Sequence, residues 1–101
     1  MPWVYLVECN DGSFYVGSTY DLERRISEHN EGLGAAYTRR RRPVTLRWSA
    51  HYDRVEDAYA AEKRMQGWGR RKRQALIDAD FDLLLGLSSR GWAARRARGE
   101  V

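Results

Sequence analysis

Cysteine is nearly missing from this chain: Cys9 stands alone in 101 residues, so no intramolecular disulfide can form. A reducing, cytoplasmic setting is the natural expectation. Only His29 and His51 could serve Cys9 as an imidazole partner, so it reads as a strand residue rather than a nucleophile. No apolar run approaches the roughly 18–20 residues that span a bilayer, so no membrane partner is expected. The start, Met1-Pro2-Trp3-Val4-Tyr5, has no basic region followed by a long apolar stretch, and no signal peptide is visible. Lysine is scarce too: two of the 18 basic residues are lysine and 16 are arginine, the side chain whose planar fork suits phosphate.

The positive charge is unevenly spread. Residues 1–31 carry −4 and residues 32–101 carry +8, for a net charge of +4. Two runs, Arg39-Arg40-Arg41-Arg42 and Arg70-Arg71-Lys72-Arg73, hold much of the excess. A basic stripe of this kind suits a nucleic-acid backbone, although a plain solvated surface has the same composition. The length allows one domain with one modest core.

Trp3 to Cys9 and Phe14 to Gly17 are aromatic and β-branched enough for two strands, and Asn10-Asp11-Gly12-Ser13 between them is a hairpin signal. A two-residue Asp11-Gly12 loop would put Tyr5 and Tyr15 on opposite faces. A three-residue loop, Asn10-Asp11-Gly12 with Gly12 left-handed, pairs Cys9 with Ser13 and puts both tyrosines on one face. The three-residue loop is the expectation. Asp21 to Glu31 reads as a helix stopped near Gly32 and Gly34, and residues 32–43 as an arginine-rich loop. Val44 to Tyr52 is a third strand with partial alternation. Asp53, with Glu56 three residues on, predicts the cap of a helix from about Arg54 to Gln66. Gly67-Trp68-Gly69 breaks it, and helical spacing resumes from Arg70 to Leu87, with Leu76, Ala79, Leu83 and Leu87 on one side. The order β-β-α-β-α-α predicts an α+β domain over residues 1–87: a small three-stranded antiparallel sheet flanked by about three helices. Residues 88–101 read as a basic tail, expected to be flexible or to order on a partner.

Polar residues stand where apolar ones belong. The core-facing stripe of the first helix is Leu22, Arg25, Ile26 and His29, whereas Arg24 faces outward within reach of Glu28. On the next helix, Val55, Ala58, Tyr59, Glu62 and Met65 form the stripe. A guanidinium and a carboxylate on core faces need compensation. They either pair with each other or line a cleft that takes a phosphate or a cation.

Together these residues resemble the GIY-YIG nuclease superfamily, in the style of its small stand-alone bacterial members. Val4-Tyr5-Leu6 and Tyr15-Val16-Gly17 resemble the two halves of its signature; Arg25, His29 and Glu62 follow in the family's order, and Ala35-Ala36-Tyr37-Thr38 resembles the loop of the short members. The resemblance covers roughly residues 3–87. It implies an endonuclease acting on DNA in repair, recombination or processing, with Tyr5, Tyr15, Arg25 and His29 catalytic and Glu62 holding one divalent ion, Mg²⁺ or Mn²⁺. Which of Tyr5 and His29 is the base stays open. Gly17, Thr19, Arg39, Arg40, Arg41, Arg42, Arg70, Arg71, Lys72 and Arg73 are the expected nucleic-acid contacts, with DNA favoured over RNA. Trp68 and Trp92 offer stacking surfaces, although Trp68 between glycines suits a hydrophobic plug equally well. Two departures stand out: the first motif reads VYL rather than GIY, and Arg73-Gln74-Ala75 lies where larger relatives carry an asparagine. A catalytically weak nucleic-acid-binding module is the alternative. Substrate form, sequence preference and a protein partner or homodimer are left open.

Overall fold

The computed structural model of the chain describes residues 2–79. Its elements are β1 (Trp3–Glu8), β2 (Phe14–Thr19), α1 (Leu22–Asn30), α2 (Ala36–Arg39), β3 (Thr45–His51), α3 (Val55–Gln66) and α4 (Arg70–Ile77). The chain divides at Gly67/Trp68 into two compact units; the first holds the sheet and α1 to α3, the second α4.

The sheet is antiparallel, in the order β2-β1-β3. The hairpin between β1 and β2 closes on three residues. Cys9 N–H donates to Ser13 O at 2.8 Å, Gly12 N–H donates to Cys9 O at 2.9 Å, and Gly12 takes φ of +85°, which a side chain would resist. This turn pairs Tyr5 with Gly17 and Val7 with Tyr15, so both tyrosines share a face, as the three-residue loop predicts. On β3 the alternation is only partial because the ladder to β1 slips between Leu6 and Val7. Leu6 faces Trp48 while Val7 faces Leu46, and Arg47 is the extra residue.

One face of the sheet packs Tyr5, Val7, Cys9 and Val44 against Tyr15, Leu22 and Ile26. The alternation of β1 and β2 sends Val4, Leu6, Phe14 and Val16 to the other face, and α3 lies against both strands. Cys9 is a core residue whose thiol is pushed up by burial, which keeps it inert.

The helix boundaries hold one agreement and several corrections. Asp21 caps α1 by accepting from Arg24 N–H at 3.1 Å, and Gly32 beyond its end has φ of +82°. The arginine-rich segment is not all loop, because α2 forms inside it. Asp53 does not cap α3. Arg54 occupies the cap position without a side-chain bond, and Glu56 pairs with Arg54 at 3.0 Å instead of closing a box. Val55 and Tyr59 are 51% and 61% exposed, so the buried line of α3 is Ala58 and Met65 with Glu62 half-buried. The expected helix to Leu87 stops at Ile77, where Asp78 caps it and Ala79 takes φ of +56°. Leu83, Leu87, Trp92 and the tail lie outside the described residues.

Asn30 ties the end of α1 to the start of β3. Its Oδ1 accepts from Val44 N–H at 2.7 Å and its Nδ2 donates to Val44 O at 3.2 Å. Both bonds reach the backbone of a buried residue. Asn30→Ala is therefore expected to destabilise the protein by about 1–3 kcal/mol, read as a lowered urea midpoint at unchanged m-value.

Candidate active site

The stripe of α1 delivers Arg25 and His29 to the sheet face that carries Tyr5 and Tyr15. Tyr5 hydroxyl and His29 Nε2 are 2.8 Å apart, with Tyr5 1% and His29 0% exposed. The His29 ring lies edge-on to Tyr5 and Tyr15, with centroids 5.7 and 5.6 Å away. Arg25 lies close enough to Tyr5 for the two to shift each other's proton affinity and pairs with Glu28 at 3.2 Å, while Arg24 reaches the other oxygen of Glu28 at 3.3 Å. Arg25 is thus paired with an acid of its own helix rather than with Glu62.

Two glycines leave the room this packing needs. A Cβ on Gly17 would run into the Tyr5 phenol, its Cζ at 2.7 Å, and a Cβ on Gly34 would run into the His29 ring, its Cε1 at 2.9 Å. Thr38, fully buried, holds His29 Nδ1 at 2.7 Å. Thr19 is engaged locally at the start of α1, its hydroxyl donating to Asp21 O at 3.3 Å.

Glu62 comes from the other side. Ser18 follows Gly17 on β2 and so points to the opposite face, at the sheet edge, and its Oγ donates to Glu62 Oε1 at 2.9 Å. Gln66 Nε2 donates to Glu62 Oε2 at 3.1 Å. The charge of Glu62 is felt by both Tyr5 and Tyr15. Tyr15, Arg25 and Glu62 are each partly exposed around a dry Tyr5–His29 pair.

Electrostatics follow from burial. Burial pushes the Tyr5 hydroxyl up and Arg25 only partly offsets this; Tyr15 is also pushed up by burial. Burial pushes His29 below its ordinary value of 6.5, and Arg25 adds to that shift. The resting pair is neutral.

A family model described as the GIY-YIG catalytic domain matches residues 1–75. A UPF0213 protein of Halobacterium salinarum is 46% identical over 77 residues, 76% of this chain and all of that protein. The chain belongs to the GIY-YIG family. A UPF0213 protein of Bacillus velezensis is 43% identical over 73% of this chain and 75% of its own length. The solution structure of a UPF0213 protein from Bacillus halodurans superposes with a TM-score of 0.53 at 40% identity, covering 78% of this chain and 85% of that one. A second solution structure, of a protein from E. faecalis, gives 0.54 at 34% identity, over 76% and 82%. GIY-YIG domains are nuclease domains, and UPF0213 proteins are small bacterial and archaeal members.

The arginine run of this GIY-YIG domain is divided in its duties. Arg41 bonds Asp11 at 3.0 Å and Tyr37 O at 2.8 Å, and its guanidinium lies 3.9 Å over the Tyr37 ring, which in turn stacks on Tyr15. Arg42 donates to Arg39 O at 2.9 Å and Asn30 O at 3.4 Å, closing helix ends. The side chains of Arg39 and Arg40 make no hydrogen bond or ion pair among the described residues, and they line a surface hollow with Asn30, Arg42 and Pro43. Arg70, Arg71, Lys72 and Arg73 open α4 in the second unit, where Lys72 sits 5.4 Å over Trp68. Ser18, Glu28, Gly34 and Thr38 stand at the site without having been picked for it from the pattern, although Glu28 was expected beside Arg24, Gly34 at the helix stop and Thr38 in the Ala35–Thr38 motif.

The close packing at the two glycines and the burial of His29 are both open to measurement. Gly17→Ala and Gly34→Ala should each cost about 1–3 kcal/mol through overpacking and shift the His29 ring resonances in NMR spectra. Because the folded His29 pKa lies below the unfolded value, the unfolded chain binds the extra proton. Stability from His29 is then complete above about pH 6.5 and is lost as pH falls from there toward the lower folded value. Urea midpoints of the parent should drop more steeply below that pH than those of His29→Gln.

Proposed function

We propose that this chain is a metal-dependent endonuclease that hydrolyses DNA phosphodiester bonds, in the repair, recombination or processing of DNA. The observation that carries this reading is the grouping of Tyr5, His29, Tyr15 and Arg25 on one sheet face, within the field of a carboxylate, Glu62, that has no cation partner among the described residues. That carboxylate fits a hard divalent ion. Its two oxygens accept only from neutral donors, and Mg²⁺ is commonly held by one or two carboxylates with water and substrate phosphate completing the shell. When bound, Mg²⁺ or Mn²⁺ supplies Lewis-acid stabilisation of the phosphate and the leaving oxygen.

The chain's own residues do the rest. Arg25 turns from Tyr5 toward the scissile phosphate and neutralises charge that builds there in an in-line displacement. The Tyr5 oxygen takes a proton from the attacking water as the Tyr5 proton passes to His29 Nε2. Tyr15 positions the phosphate or the water with its half-buried hydroxyl. Arg39 and Arg40 grip the backbone beside the cleft, and the cations of α4 add phosphate contacts at a helix N-terminus that carries no acid in its first turn. A second reading, a nucleic-acid-binding module with little catalysis, draws support from the near-complete burial of Tyr5.

One set of gels separates the two. Single-stranded, duplex, flap and RNA substrates are incubated with Mg²⁺, Mn²⁺ or chelator. The parent should cut a DNA substrate only with the divalent ion, and Arg25→Ala or Glu62→Gln should slow cutting by about 100-fold or more. Binding without cutting under every condition would favour the module. Binding should also weaken with salt, and Arg39→Ala with Arg40→Ala should reduce the log–log slope by about two.

A further inference from the structure

We propose that Thr38 is a positioning residue that locks His29 in the one tautomer able to take the Tyr5 proton. Its effect on cutting rests on the nuclease reading above; the tautomer itself is a property of the resting protein.

The direction of each hydrogen bond follows from which atoms own a hydrogen. Thr38 Oγ1 lies 3.0 Å from the Ala35 carbonyl oxygen, which can only accept. That carbonyl also accepts from Arg39 N–H at 3.1 Å, so the Thr38 hydrogen can face either Ala35 or His29 Nδ1, and the other end of the chain decides. The buried Tyr5 hydroxyl has Nε2 as its one hydrogen-bond partner among the described residues, so its hydrogen needs Nε2 bare; Nδ1 then carries the ring proton and donates to Thr38 Oγ1 at 2.7 Å, which turns the Thr38 hydrogen to Ala35. A neutral imidazole has one N–H, which leaves Nε2 bare. Nε2 is 2.8 Å from the Tyr5 hydroxyl, so Tyr5 donates and His29 accepts. The chain runs Tyr5 O–H to Nε2, then Nδ1–H to Thr38 Oγ1, then Thr38 O–H to Ala35 O, with every hydrogen used once.

The opposite tautomer fails at the Tyr5 end. The Thr38 hydrogen would have to leave Ala35 for Nδ1, and the buried Tyr5 hydroxyl, receiving Nε2–H, would be left with no acceptor for its own hydrogen among the described residues. His29 and Thr38 are fully buried, so bulk water does not offer a substitute. Gly34 lies so close against the imidazole that the ring has little room to move aside. Burial also keeps His29 uncharged, so that a proton acceptor is present at neutral pH. The short helix α2 thereby gains a role in the site, because it brings Thr38 back over the end of α1 at the height of His29.

The test uses the full chain labelled with ¹⁵N and two-bond proton–nitrogen correlation of the imidazoles. There are two histidines, and His51 is exposed, so the buried ring is readily told apart. The parent should show Nδ1 protonated and Nε2 bare. Thr38→Ser should keep that pattern and near-parent cutting. Thr38→Val, of similar shape but with no acceptor, should move His29 mainly to the Nε2–H form and lower kcat by about 100-fold with KM little changed. A parent with Nε2 protonated overturns the proposal, as does Thr38→Val with Nδ1 still protonated. If Thr38→Val does not fold, the parent spectrum decides alone. If the parent cuts nothing yet shows Nδ1–H, the nuclease reading falls while the tautomer lock stands.

Discussion

The rest of this small domain is arranged around one buried polar chain, Tyr5 to His29 to Thr38 to the Ala35 carbonyl. A phenol, an imidazole and a hydroxyl in a dry interior would each cost free energy if left unpaired. Their mutual satisfaction fixes three elements relative to one another: β1 supplies Tyr5, α1 supplies His29 and α2 supplies Thr38. Gly17 and Gly34 mark where backbone presses against the two rings. The three-residue hairpin loop matters for the same reason, since a slip of one residue would send Tyr15 to the far face and put a side-chain-bearing residue opposite Tyr5.

Charge is distributed around this neutral centre rather than within it. Arg25 pairs with Glu28 beside Tyr5, so it is held at the surface of the site without being consumed by the acid across the sheet. Glu62 arrives over the edge strand β2, steadied by Ser18 and Gln66. A direct Arg25–Glu62 pair would have cancelled both charges and left neither for a ligand. The arginine run is divided in a similar way. Arg41 and Arg42 bind carbonyls, an aspartate and an aromatic ring of the scaffold, and Arg39 and Arg40 are left to solvent.

Much of this was legible in the sequence, and the parts that were not have physical reasons. The strand pair, its register and the polar stripe of α1 follow from turn chemistry and from periods of 2 and 3.6 residues, which local sequence expresses well. The four residues of α2 are too few to show any period, so a segment with four arginines and a proline reads as loop. The line of Val55 and Tyr59 has the right spacing for burial, yet on α3 the sheet takes only the neighbouring line of Ala58 and Met65, a choice set by tertiary packing. The cap falls one residue past Asp53, on Arg54, because α3 begins at Val55, and Glu56 pairs with Arg54. Gly34 and Ser18 carry no signal of their own; a glycine's close approach and a serine's distant partner exist only once the chain is folded.

The electrostatics of the site tie its two halves together. Ionising Tyr5 is opposed first by burial and also by the nearby charge of Glu62, and is favoured by Arg25. Arg25 does the reverse at His29, where its charge resists an imidazolium. The cation beside the pair therefore helps one end of a proton transfer and hinders the other. What remains is the field of Glu62, which bears on Tyr5 and Tyr15. Under the proposed nuclease reading, a cation held by Glu62 would offset that opposition, and a phosphate that drew Arg25 away from the pair would relieve His29. On that reading each relief comes from a different ligand.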